Sequence, residues 1–316
     1  MQMEVNNFKE ELAEILSSEK AGLELYLISK QNEIKFSSIS EEASNNLLSL
    51  FKENIDSIFL NDDNEFKLKS INEVNTEDSN TYYYFDSENI YEKIEHLTKF
   101  TGDGLETFSF NDSHFSDIDT FLIKIGTDEK HIVLYKKNYP INLLRRGKTL
   151  FFKQSAENID ELKDDILKID RNFQFLVLNE HVLVVNLNML ENQLGYESVI
   201  VKKAEEALIS IGAIDFLDDI SKLEDMVKSK KIAKKVNLVK DSPVIKVINE
   251  NQPKVIKFIE EHPDLKKSLK FNEDGKLELK SKVSVEKFLK LLDDDYLKSE
   301  LTDLLYDSLN KDKLNK

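Results

Sequence analysis

The chain is 316 residues long, with 60 Asp and Glu against 44 Lys and Arg, a formal charge of −16, and neither Cys nor Trp. Without cysteine there are no disulfide scaffolds, thiolate zinc sites or cysteine nucleophiles, while 40% hydrophobic residues suffice to bury a core. The acidity argues against a protein that coats nucleic acid over its whole surface, but leaves a local basic face open.

The first thirty residues mix acidic, basic and apolar positions and contain no apolar run behind a basic start, so no signal peptide is read there. The longest stretch free of Asp, Glu, Lys and Arg is His181–Leu190, well short of the ~18 residues of a spanning helix. A soluble, cytoplasmic protein is expected.

Leu23–Ser29 and Glu33–Ser38 read as strands around the polar turn Lys30-Gln31-Asn32,. Ser40 is placed to cap a helix reaching about Ile58, with Leu47, Leu48, Phe51, Ile55 and Ile58 on one face,. Glu65–Ile71 and Thr81–Phe85 read as strands, and Glu88–Phe100 as a helix that stops before Gly102,. Phe121–Ile125, Ile132–Tyr135 and Leu150–Lys153 continue the strand signal.

Phe173–Leu178 and Val182–Leu187 flank the compact turn Asn179-Glu180-His181, a hairpin signature,. The sheet signal ends near residue 190. Helical periods follow at Glu197–Ile211, Asp215–Val227 and Pro253–Glu261,. Leu269–Phe271 and Leu277–Leu279 suggest a small hairpin about Asn272–Gly275,, and Val285–Leu309 reads as a last helix. The fold class is α+β: a mixed N-terminal α/β region with an antiparallel sheet, then a hairpin and a mostly helical C-terminal region. Residues 1–150 carry a net −12 and residues 151–316 a net −4. That division gives an acidic N-terminal region, 1–150, and a lysine-rich C-terminal one, 151–316.

The sharpest local feature is Val227–Lys240, which holds Lys228, Lys230, Lys231, Lys234, Lys235 and Lys240 and no acid. As a helix it sets Lys231, Lys234 and Lys235 on one face, with Ile232, Val236 and Val239 to anchor the other. Six phosphate contacts imply a log–log salt slope of about −5 on duplex DNA; the plainer reading is a solvated helix face. Lys276, Lys280 and Lys282 lie on or beside the small hairpin and resemble the wing of a winged helix. Lys202-Lys203 and Arg145-Arg146-Gly147-Lys148 are weaker candidates. With only three arginines in the chain, backbone contact is expected rather than base reading, because lysine lacks the bidentate fork.

Asp274, Glu278 and Lys280 form a D-x3-E-x-K string of the kind that binds Mg²⁺ in nucleases, although the acid lies closer to the E-x-K than is usual there. Asp112, His114, Asp117 and Asp119 offer metal-ligand atoms without the spacing of a Ca²⁺ loop. Tyr82, Tyr83, Tyr84 and Phe85 suit either base stacking or a strand with buried rings. No zinc-protease, phosphate-loop or nucleophile-elbow motif is present. No catalytic residue, metal or cofactor is expected.

FQFLVLNEHVLVVNL (173–187), MLENQLGYESVIVKKAEEAL (189–208), KKIAKK (230–235) and VSVEKFLKLLDDDYLKSELTDLLYDSLNK (283–311) resemble the conserved domain of the KwaB family, the B component of the Kiwa anti-phage defence system. LYKKNYP (134–140) fits the same pattern. The resemblance implies a bacterial cytosolic protein that self-associates as a homodimer or larger assembly and partners the membrane-embedded component KwaA. It also implies sequence-indifferent binding to duplex DNA and restriction of phage at the inner membrane. The open alternatives are a metal-dependent nuclease and a protein-binding adaptor that does not touch DNA.

Overall fold

A computed structural model describes residues 3–75, 78–109, 114–140, 143–144, 152–154, 159–162, 166–298 and 304–307. It divides into two compact units, one of residues 1–69 with 80–189, the other of residues 70–79 with 190–316.

The first unit contains helix α1 (Val5–Ser17), strands β1 (Gly22–Ser29) and β2 (Ile34–Ser37), and helix α2 (Glu41–Ile55). Strands β3 (Lys67–Ser70), β4 (Thr81–Phe85), β5 (Ile118–Gly126) and β6 (His131–Lys137) follow, and β3 ends at the boundary between the units. Two short ribbons come next, β7 (Leu143–Leu144) with β10 (Ile166–Leu167), and β8 (Phe152–Gln154) with β9 (Ile159–Glu161). The hairpin β11 (Phe175–Leu178) and β12 (His181–Val184) completes the unit.

One eight-stranded sheet runs in the order β2-β1-β5-β6-β11-β12-β4-β3. The expected hairpin therefore sits inside this sheet, between β6 and β4, and belongs with the N-terminal strands rather than with the helices. The register follows the period of two. Leu25 opposes Ile123, Ile123 opposes Leu134, and Leu134 opposes Leu176. These residues share a core with Phe8 and Leu12 of α1 and Phe51 and Ile55 of α2. Alternate residues on the opposite face are buried as well: Tyr26, Leu122, Tyr135, Phe175 and Val177. Burial on both faces is why these strands read as nearly continuous apolar runs. Ser40 caps α2 as expected, its hydroxyl accepting from the Ala43 N–H at 3.3 Å.

Three helix expectations are corrected, one of them, Asp215–Val227, with the second unit below. Glu88–Phe100 is not an α-helix but a chain of turns with one 3₁₀ turn, Glu95–Leu97. Its buried residues Tyr91, Ile94 and Leu97 recur every three positions, and the Ile94 and Leu97 N–H groups donate three residues back, to Tyr91 and Ile94. That is the tighter helical period. The expected last helix stops at Leu292, and the chain returns as a hairpin, described below. Helix α1 was not anticipated; its buried residues are Phe8, Leu12 and Ile15.

The second unit contains α3 (Tyr196–Gly212), α4 (Ser221–Val227), α5 (Lys230–Val239), α6 (Pro243–Glu250), α7 (Gln252–Glu261) and α8 (Pro263–Ser268). The hairpin β13 (Lys270–Phe271) and β14 (Leu277–Glu278), helix α9 (Lys282–Leu292) and the hairpin β15 (Tyr296–Lys298) and β16 (Leu305–Asp307) complete it. Asp293 is the C-cap of helix α9, and Asp294 takes a left-handed φ of 61°, a geometry that breaks the helix and that Asp tolerates better than most residues. Of the expected helix Asp215–Val227, only α4 is helical. No helix among the described residues is long and apolar enough to cross a membrane.

Candidate nucleic-acid interface

Lysine-rich α5 is a helix because its apolar stripe has a partner. Ile232, Ala233, Val236 and Val239 are buried, and the Asn237 side chain reaches the Ile200 carbonyl of α3 at 2.9 Å. The expected anchors Ile232, Val236 and Val239 all serve. The lysines, however, are not one face.

Lys234 turns inward. It is 6% exposed, and its ammonium lies 2.5 Å from Glu191 Oε1, a carboxylate itself 5% exposed. Lys230, one turn earlier, lies 3.0 Å from the other oxygen of Glu191, and donates to Asn192 Oδ1 at 2.9 Å. A buried charge persists only when paired, so Lys230 and Lys234 clamp α5 onto the 189–193 turn. The assignment of Lys234 to an open basic face is thereby corrected: the exposed lysines are Lys231 on the helix and Lys228 and Lys240 at its ends, with Lys235 half-buried. Lys228 pairs with Asp225 at 3.3 Å and Lys240 approaches Asp241 at 3.7 Å. Both contacts are exposed and therefore weak.

Lys203 joins this group from α3. Its ammonium donates to Asn72 Oδ1 at 2.9 Å. Burial, and then the neighbouring charge of Lys240, hold it below its ordinary pKa. Two ammonium groups that repel across a helix pair make a local positive potential. In the sequence Lys203 is a lesser candidate, because only the packing of α3 on α5 brings it near Lys240.

The wing lysines are engaged locally. Lys276 meets Asp215 at 2.8 Å, and this hydrogen bond raises its pKa. Lys280 pairs with Glu278, which likewise raises its pKa, with a smaller contribution from Asp218. Lys282 is exposed, with Glu286 at 4.0 Å. Asp274 lies in the β13–β14 turn, its N–H donating to Asn272 Oδ1 at 3.0 Å. Glu278 and Lys280 instead line a small depression with Asp218, Asp219 and Asp225. Among the described residues no three His, Asp or Glu side chains converge as a metal site.

Other sequence candidates take structural places. Asp117 accepts the His114 N–H at 2.8 Å and closes a 3₁₀ turn. Asp119 accepts from Lys137 at 2.5 and 2.6 Å. Asp112 and the Arg145–Lys148 cluster lie outside the described residues. Tyr83, Tyr84 and Phe85 are buried, and Tyr82 packs edge-on against Phe59 and Phe66; these rings are core, not a stacking platform.

The family described as Kiwa protein KwaB-like matches residues 115–302. Over 321 residues the chain is 29% identical to the Kiwa protein KwaB of Escherichia coli O55:H7 (strain RM12579 / EPEC), covering 99% of this chain and 100% of that relative. No solved structure matches.

Proposed function

The chain belongs to the Kiwa protein KwaB-like family, and from that membership we propose that it is the DNA-holding component of an anti-phage complex. Duplex DNA is gripped through its phosphates by Lys203, Lys228, Lys231, Lys235 and Lys240. Lys276, Lys280 and Lys282 lend secondary contacts, while Lys230 and Lys234 hold the helix in place. The observation that carries this reading is the local inversion of sign: six lysines and no acid over Val227–Lys240 in a chain of charge −16, with Lys203 added from α3.

Lysine contacts of this kind are indifferent to base sequence, since an ammonium meets phosphate as a point charge. The DNA so held is denied to replication and transcription. We further propose that the protein works as a homodimer or larger assembly and reaches the inner membrane through KwaA, its acidic N-terminal region left free for protein contacts.

An electrophoretic shift on duplex DNA tests the reading at 50 and 200 mM salt, with and without Mg²⁺. The expected result is retention at low salt, lost at high salt, with the DNA intact. Five phosphate contacts give a log–log slope of about −4.5. Cleavage in the Mg²⁺ lanes would replace this reading by a nuclease, and absence of retention at low salt by an adaptor that binds protein only.

A further inference from the structure

A cavity of about 560 Å³ opens within the first unit, a volume typical of small-molecule sites. It is walled by the second half of α1, the β5–β6 turn, the β11–β12 turn and the segment around Thr98. Its floor is apolar: Ile15, Leu97, Val133 and Val177 line it and are buried.

Its rim is acidic. Glu11, Glu14 and Glu129 stand with one lysine, Lys130, and with His131 beside it. Glu11 and Glu14 stand three residues apart on α1 and so present neighbouring carboxylates. Glu11 is oriented by Asn179, whose Nδ2 donates to Oε2 at 2.7 Å. Glu14 meets the Lys130 ammonium at 2.6 Å, with both side chains more than 60% exposed. Such a pair is worth little in water and exchanges readily. The Lys130 ammonium, carried on its own methylene stem, thus marks where a cation sits at this mouth. Glu129 has no ion partner among the described residues.

Negative groups around an apolar floor repel anions and waste the floor on a bare metal ion. They suit a ligand in which ammonium groups alternate with methylene stretches, the chains lying on the floor while the charges reach the rim. We propose that this cavity binds a linear polyamine, with Glu14 and Glu129 as its principal carboxylates.

Calorimetric titration of the full chain with spermidine at fixed ionic strength tests this. Saturable one-to-one binding is expected, weakened at least tenfold in the double variant Glu14→Gln/Glu129→Gln. Lys130→Ala, which removes the internal competitor, is expected to tighten binding several-fold. Glu41→Gln/Glu42→Gln removes the same charge from exposed positions on α2 and is expected to leave affinity unchanged. Equal weakening by the two double variants would reduce the effect to general attraction by an acidic chain and overturn the proposal. So would non-saturable binding, or displacement of spermidine by an equal concentration of Mg²⁺, which carries charge without methylenes.

Discussion

Lys234 Nζ lies 2.5 Å from Glu191 Oε1, with both side chains almost fully buried, so one of the most conspicuous lysines of the chain is an internal counter-ion. Removing one partner of a buried pair leaves an uncompensated charge, at a cost of about 3–5 kcal/mol. The two ends are not equivalent, because Lys230 stays 3.0 Å from Glu191. Lys234→Met is therefore expected near the low end of that range and Glu191→Leu near the high end. The double variant should be milder than Glu191→Leu alone. Urea denaturation of the three variants measures the order.

Charge reversal at Lys228, Lys231 and Lys240 is expected to abolish retention of duplex DNA at low salt while leaving the melting temperature within a few degrees. Neutralising the same three to Gln removes up to three phosphate contacts. It should flatten the log–log salt slope by about 0.9 per contact. The corresponding change at Lys276 and Lys280 should have a smaller effect, each ammonium being held by a carboxylate at hydrogen-bond distance. Filter binding across a salt series reads both slopes.

Gly102 lies beneath Tyr26. A Cβ at residue 102 would stand 2.4 Å from the Tyr26 hydroxyl, on a backbone with φ of +80°. Gly104 shares the left-handed backbone, φ +67°, but faces open space. Gly104→Ala is expected to cost about 1–2 kcal/mol from backbone strain alone. Gly102→Ala should cost about 1–3 kcal/mol more, because the well-packed Tyr26 ring has to move. Thermal melts of the two variants separate the contributions.

The pH dependence has an acid and an alkaline limb. Burial pushes the Asp170 carboxyl up. The Lys136 ammonium at 2.6 Å and the Asn172 N–H pull it down further, so it stays below the usual carboxylate range. Burial also holds Lys136 below its ordinary value, so the pair is a compensated cost, and the acid limb follows Asp170. Its contribution is present above the unfolded value near 4 and is lost as pH falls through the folded one. Asp170→Asn should flatten the loss of stability below about pH 4, as followed by urea midpoints.

At the other end, burial pushes the Tyr135 phenol up to about 12, with Asp119 adding to it. The unfolded phenol ionises near 10, so stability is intact below about pH 10 and falls from there towards 12. Tyr135→Phe should shift that alkaline loss upward. Phenolate absorbance near 295 nm, followed with the midpoint of unfolding, tests it.

Local chemistry was legible where the local pattern decides the structure. The Asn179–His181 turn between two apolar runs gave the hairpin, and Asn179 takes the left-handed φ of 53° that such a turn needs. The interleaving of that hairpin between β6 and β4 was not legible, since a strand's pattern marks its buried faces and not its neighbour. The C-terminal leucines fit a helical period past residue 292, and nothing in that spacing marks the left-handed Asp294 at which the chain turns back. The burial of Lys234 left no mark in its own segment, because its partner lies on another element. Lys203 ranks low in the sequence for the same reason: only packing brings it to Lys240.

The order of the sheet sets a timetable for making the protein. Strands β1, β2, β5 and β6 can pair as soon as Lys137 is free of the ribosome. Strand β4, synthesised before two of them, has β3 on one side at once, but its other edge has to wait for β12, which it meets through Tyr84 and Leu183. Long-range pairing of this kind is slow, and until it forms β4 offers the aromatic run Tyr82–Phe85 with one open edge, a geometry that invites pairing with another chain.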